Sequence, residues 1–131
     1  MNLKLAAPFT LDAWDAVPGE ETPEGGPATG RVILRKTYTG PVLVATSSGH
    51  ALTTQGPGGS SYVAQERIVG SLEGHAGSFV LEHRASMAEG HPTLMDATIV
   101  HGSGTGELAG IAGSGQVAHG LLTLALELRA T

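Results

Sequence analysis

The sequence predicts an all-β protein, a single closed eight-stranded antiparallel barrel with at most a short helical turn. Three observations lead there. Apolar and polar residues alternate in short runs, the pattern of half-buried strands. The runs are separated by turns rich in glycine, which makes up 20 of the 131 residues against an average of about 7%. The length is that of one domain, residues 1–131, with room for one core. Closing eight strands on themselves removes exposed edges. A sandwich of two sheets has the same turn spacing and is the alternative.

In chain order, the first strand covers about Leu3 to Asp15. Residues 17–30, rich in Pro, Gly and Glu, cannot form a regular element. They read as a long flexible loop, either simply mobile or a lid over a cavity. The second strand is Arg31 to Thr39, followed by a turn at Gly40-Pro41, and the third runs from Val42 to about Thr54. Gln55 to Ser60 is a turn. The fourth strand, Ser61 to Leu72, meets the fifth, Ser78 to Met87, across Glu73, Gly74 and His75. Thr93 to His101 is the sixth. A short helical turn is expected at Glu107 to Gly110, then a seventh strand at Ser114 to Ala118 and a last at Leu121 to Arg129. Consecutive strands with short turns pair as neighbours.

The composition narrows the function classes. Net charge is −5 with His neutral, and only 7 residues are Lys or Arg. Nucleic acid, which is bound through clustered basic residues, is not an expected partner. No apolar run approaches the ~20 residues of a membrane span, and the start lacks the apolar stretch of a signal peptide. A cytoplasmic location is expected. Zero cysteines fit that compartment and remove disulfides, Zn–thiolate sites and thiol nucleophiles.

The fourth and fifth strands carry the candidate chemistry. A two-residue turn at Gly74-His75 sets Glu66 opposite His83. A turn at Glu73-Gly74 sets Glu66 opposite Leu81, with His83 on the diagonal. Both put Glu66 and His83 on one face, whereas a three-residue turn separates them. That face also holds Tyr62, Ala64, Ile68, Phe79 and Leu81, and is the more apolar, so it is the expected interior. A two-residue turn at Glu89-Gly90 or Gly90-His91 adds Leu94, Asp96, Thr98 and Val100 to it. Glu66 and His83 are the candidate acid/base pair, and Tyr62, Asp96, Phe79, Leu81 and Trp14 the candidate ligand-binding residues. A satisfied buried Glu–His pair that fixes the register is the structural alternative. His50, His75, His91 and His119 fall in or beside turns, and His101 has the wrong parity to join His83. No metal site and no cofactor are expected.

Several stretches resemble a known family. They are Trp14-Asp15, Lys36-Thr-Tyr-Thr-Gly40, Glu66-Arg-Ile-Val-Gly70, Gly77-Ser-Phe-Val-Leu81 with His83, and Gly102-Ser-Gly-Thr-Gly-Glu-Leu-Ala-Gly110. Together they resemble a family of small bacterial proteins of unknown function over about Phe9 to Glu127. The fold of that family is similar to the allene oxide cyclase barrel, a calycin-like architecture, and to dirigent proteins. The run from Gly104 to Gly113 lacks the Lys-Ser/Thr ending of a phosphate loop. The resemblance implies a fold and not an activity, and, since related barrels assemble as dimers or trimers, a homo-oligomer. The inward Glu66–His83 pair is what points to a barrel that takes an apolar small molecule in its lumen, as a cyclase, an isomerase or a binder. The other class is a non-catalytic oligomeric scaffold or carrier with a filled barrel and an interface at Val69, Val80 and the last strand.

Overall fold

The computed structural model describes residues 2–18 and 21–128. Nine strands form one antiparallel sheet, and no helix occurs among the described residues. They are β1 (Asn2–Val17), β2 (Ala28–Thr39), β3 (Leu43–Gly56), β4 (Gly59–Leu72), β5 (His75–Ala88), β6 (Leu94–Ile99), β7 (Thr105–Gly106), β8 (Ala112–Ala118) and β9 (Leu121–Glu127). Along the sheet the order is β4-β3-β2-β1-β9-β8-β6-β5, and β4 pairs again with β5, so the sheet closes on itself. The closed circuit contains the eight main strands; β7 lies beside the first part of β5 through Gly77↔Gly106 and Ser78↔Thr105. No described helix is long and apolar enough to cross a membrane.

The glycine-rich run differs from expectation. Instead of a helical turn, Glu107 to Gly110 forms successive turns, with Leu108 N–H donating to Thr105 O and Ile111 N–H to Leu108 O. Backbone of β7 precedes them because Gly77 leaves room for Thr105 O to approach β5. The long loop is shorter than 17–30, since the β1–β2 ladder runs to Val17↔Arg31 and β2 begins at Ala28. Residues 19 and 20 of that loop, and Arg129 of the last strand, lie outside the described residues.

The β4–β5 hairpin turns at Glu73-Gly74, with Leu72 opposite His75. Both turn residues have positive φ, 48° and 81°, the signature of a type I′ turn and the reason glycine stands second. This is the register in which Glu66 faces Leu81 and Ala64 faces His83. In β1 the register shifts between Leu11 and Ala13. The extra residue, Asp12, accepts a hydrogen bond from the Thr37 hydroxyl at 2.6 Å. One inserted residue changes the parity of everything after it. Phe9 therefore stands opposite Tyr38 and Trp14 opposite Leu34, although their numbers differ by an odd step.

The interior has three levels. A large apolar cluster holds Tyr38, Leu43, Ile68, Phe79, Leu81, Ile99, Leu108, Ile111 and the inward leucines of β9. A small one holds Val32, Leu34, Ala51 and Ala64, with Tyr62 packed against it. Between them along β2, β4 and β5 lie Lys36, Glu66 and His83, all buried. Phe79 and Leu81, expected to line a ligand site, are instead part of the packed cluster, at 1% and 0% exposure.

Candidate functional site

Alternation along β4 and β5 carries Glu66 and His83 inward, as the sequence pattern implies. Glu66 is held from three sides. Lys36 donates to Oε2 at 2.8 Å, Tyr38 donates its hydroxyl to Oε1 at 2.6 Å, and His83 Nε2 lies 2.8 Å from Oε2. The Tyr62 hydroxyl lies 3.1 Å from the other imidazole nitrogen, Nδ1. An ionised carboxylate only accepts hydrogen bonds, so Nε2 carries a proton; in the neutral imidazole Nδ1 then accepts from Tyr62. Lys36 also stands over the Phe9 ring, 4.2 Å from its centroid, a favourable cation–π geometry.

Burial pushes the Glu66 carboxyl up. The His83 hydrogen bond, the Lys36 charge and hydrogen bond, and the Tyr38 hydroxyl outweigh it and hold the carboxyl down at about 2. Tyr38 is pushed far above the ordinary phenol range by burial, by the Glu66 charge and by its hydrogen bond to that carboxylate. Burial, then the Glu66 charge, also raises Tyr62. Both phenols therefore remain protonated at neutral pH.

Glycine is required opposite Glu66. On β3, Gly49 pairs with Glu66, and a Cβ there would stand 2.1 Å from Gln65 O and 2.7 Å from Glu66 Cα. The two backbones approach too closely for any side chain.

Tyr62 is where this network meets a cavity. About 380 Å³ of space opens at the end of the closed sheet bounded by the β3–β4 turn and the β5–β6 connection. Its apolar walls are Trp14, Val32, Tyr62, Ala85, Met87 and Met95; the rest are Ser and Thr residues and Gln55, with no charged side chain. Trp14 meets Tyr62 edge to face, with centroids 5.9 Å apart, and Tyr62 meets the His83 ring in the same way at 5.5 Å. A larger groove of about 590 Å³ runs over β1, β9, β8 and β6, but its lining includes no member of the network.

Of the expected site residues, the structure joins Glu66, His83 and Tyr62 and brings Trp14 to the same cavity. Asp96 is a correction. It lies on the outer face, where Arg84 Nε donates to its Oδ2 at 3.1 Å. The connection between Ser86 and Leu94, which are paired, is residues 87–93, an odd number. A two-residue hairpin would have been even, so β6 is offset by one residue and all its side chains exchange faces. Ala97 and Ile99 point inward, while Leu94 and Thr98 point out. In this register the parity of His101 agrees with that of His83, but His101 falls in the exposed turn after β6.

Lys36 and Tyr38 were not among the expected site residues. The available signal was the β2 alternation: Lys36 shares a face with Val32, Leu34 and Tyr38, an unusual place for a lysine.

No curated protein matches the chain. A crystal structure of a protein with unknown function from the DUF3224 family, from Shewanella oneidensis MR-1, is similar over 100% of both chains, at 30% identity and a TM-score of 0.84. Residues 5–125 match the family described as "Protein of unknown function (DUF3224)", and on both grounds the chain belongs to the DUF3224 family.

Proposed function

We propose that the closed sheet is an allene oxide cyclase-like barrel that takes a neutral, mostly apolar small molecule in the cavity at its Trp14–Tyr62 end. Glu66 and His83 are the acid/base pair behind that cavity. The observation that carries this reading is the unbroken line of hydrogen bonds from the cavity wall at Tyr62, through His83, to Glu66. Mostly apolar pockets of ~300–1,000 Å³ with a few placed polar groups are the usual form of small-molecule sites. The absence of charge among the lining residues favours a neutral ligand, because an ion would enter without a partner. The ligand sits at the mouth, since the deeper lumen is filled by side chains.

Trp14 is the single tryptophan of the chain and reports on the cavity directly. Neutral cyclic ketones and alcohols are expected to change its fluorescence and to stabilise the fold by on the order of 3 kcal/mol at ligand concentrations 100 times Kd, read as a higher Tm. Ala85→Phe fills the cavity and removes both responses. If no such compound moves Trp14 or Tm, the cavity reading fails.

One observation favours a second reading, an oligomeric scaffold. Val44, Leu52, Val63 and Val69 are each at least half exposed on the outer face of β3 and β4, and Leu52 and Val63 are cross-strand partners. Sedimentation of the protein tests the scaffold: a dimer or trimer lost on Val63→Lys supports it, and a monomer at all concentrations removes it.

A further inference from the structure

We propose that Tyr62 is the catalytic residue of this cavity, acting on carbonyl compounds that carry an acidic C–H beside the carbonyl and moving that proton between carbon and oxygen. The proposal rests on the cavity reading above and adds the reacting group, the proton route and the substrate class.

Four side chains surround or extend from Glu66, and three of them do not border the cavity. Tyr38 is fully buried and spends its hydroxyl on Oε1. Lys36 is buried against Glu66 and the Phe9 ring. His83 is absent from the cavity wall and bonds, through its Nδ1, the Tyr62 hydroxyl. Tyr62 alone is half-buried, a member of the cavity wall, and bonded to the imidazole. The order Tyr62, His83, Glu66 is that of a nucleophile–base–orienter triad, with a phenol in first place.

The chemistry balances without a co-reactant. A substrate C–H bond breaks and its proton passes to Tyr62 Oη as the Tyr62 O–H proton passes to His83 Nδ1. The C–H electron pair becomes the new C=C bond, and the carbonyl π pair moves to oxygen as an enolate. Glu66, fixed by Lys36 and Tyr38, faces the imidazolium that forms. Tyr62 then gives its proton to the enolate oxygen and recovers one from His83, leaving the enol and a neutral imidazole. Reversal returns the ketone. The raised phenol of Tyr62 suits it to pass a proton on without standing as a phenolate.

2-Tetralone is the probe: neutral, small and acidic at C1. Its C1 protons are followed by NMR in deuterated buffer at neutral pH, with Trp14 fluorescence recording occupancy. The protein is expected to accelerate exchange above buffer, and Tyr62→Phe and His83→Gln to slow it by at least ~100-fold while occupancy persists. Arg67→Ala, exposed on the outer face of β4 and outside the cavity, leaves exchange unchanged. Occupancy with exchange at the buffer rate overturns the proton-transfer proposal and leaves the binding reading intact. Full exchange by Tyr62→Phe overturns the role of Tyr62. Neither occupancy nor exchange at saturating ketone overturns both readings together.

Discussion

Lys36 and Glu66 form an ion pair at 2.8 Å with almost no solvent on either side. In that setting removing one partner is worse than lacking both, because the remaining charge is stranded. Lys36→Met is expected to destabilise the protein by ~3–5 kcal/mol. The double variant Lys36→Met/Glu66→Gln is expected to lose less than the sum of the single losses, measured by urea unfolding as a double-mutant cycle. The same carboxylate sets the acid response. Its folded pKa, about 2, lies below its ordinary value of 4.5, so it contributes stability above 4.5 that is lost as pH falls toward 2. At ~1.4 kcal/mol per unit that contribution is on the order of 3 kcal/mol. Glu66→Gln is expected to flatten this acid limb, and an unchanged limb would assign acid unfolding to other carboxylates. Glu66 and His83 were legible in the sequence because both candidate two-residue turns left them on one face. Lys36 was not, although its parity was correct, because a lysine in a strand is ordinarily read as outward. No local rule pairs it with a glutamate thirty residues away.

The β3–β4 ladder is the element that presses Glu66 inward. Gly49 is a point of close approach in it, where an added methyl meets backbone atoms of Gln65 and Glu66 rather than a side chain able to move away. Gly49→Ala is expected to cost more than the ~1–3 kcal/mol of ordinary overpacking, and to change the Tyr62–His83–Glu66 chemistry as well. Gly58→Ala, in the β3–β4 turn with open space around it, is expected to be nearly neutral. Equal Tm losses for the two would show that the crowding at Gly49 relaxes freely. At this scale the sequence was readable wherever turn chemistry was short and specific. Glu73-Gly74 limited the β4–β5 register to neighbouring choices, and the structure selected one. The β5–β6 connection, residues 87–93, carries the same kind of Glu-Gly signal in a longer loop of odd length. Reading it as a tight turn turned Asp96 inward when it belongs outside. β7 was not visible either, since two residues have no periodicity, and its pairing rests on Thr105 O approaching Gly77.

Closure of the whole sheet is uneven. β3 and β4 pair without interruption from Leu43↔Leu72 to Gly56↔Gly59, while β6 and β8 meet only at Ala97↔Gly115 and Thr98↔Ser114. Few ladder bonds hold that join, and Met95, a wall of the cavity, stands beside it and also borders the outer groove. Local opening follows the weakest set of contacts, so the circuit is expected to open between β6 and β8 before any other pair of main strands. Native-state hydrogen exchange reads this as faster exchange for β6 and the adjoining edge of β8 than for β3 and β4. A crosslink makes the test causal. Continuing the register one step sets Asp96 against Gln116, both exposed, and the chain has no cysteine to interfere. The pair Asp96→Cys/Gln116→Cys, oxidised, is expected to stabilise by ~2–4 kcal/mol and to bring exchange at this join toward that of β3–β4. Reduction should restore the wild-type pattern. If the oxidised form gains stability while β6 and β8 exchange as before, the first opening lies elsewhere in the circuit.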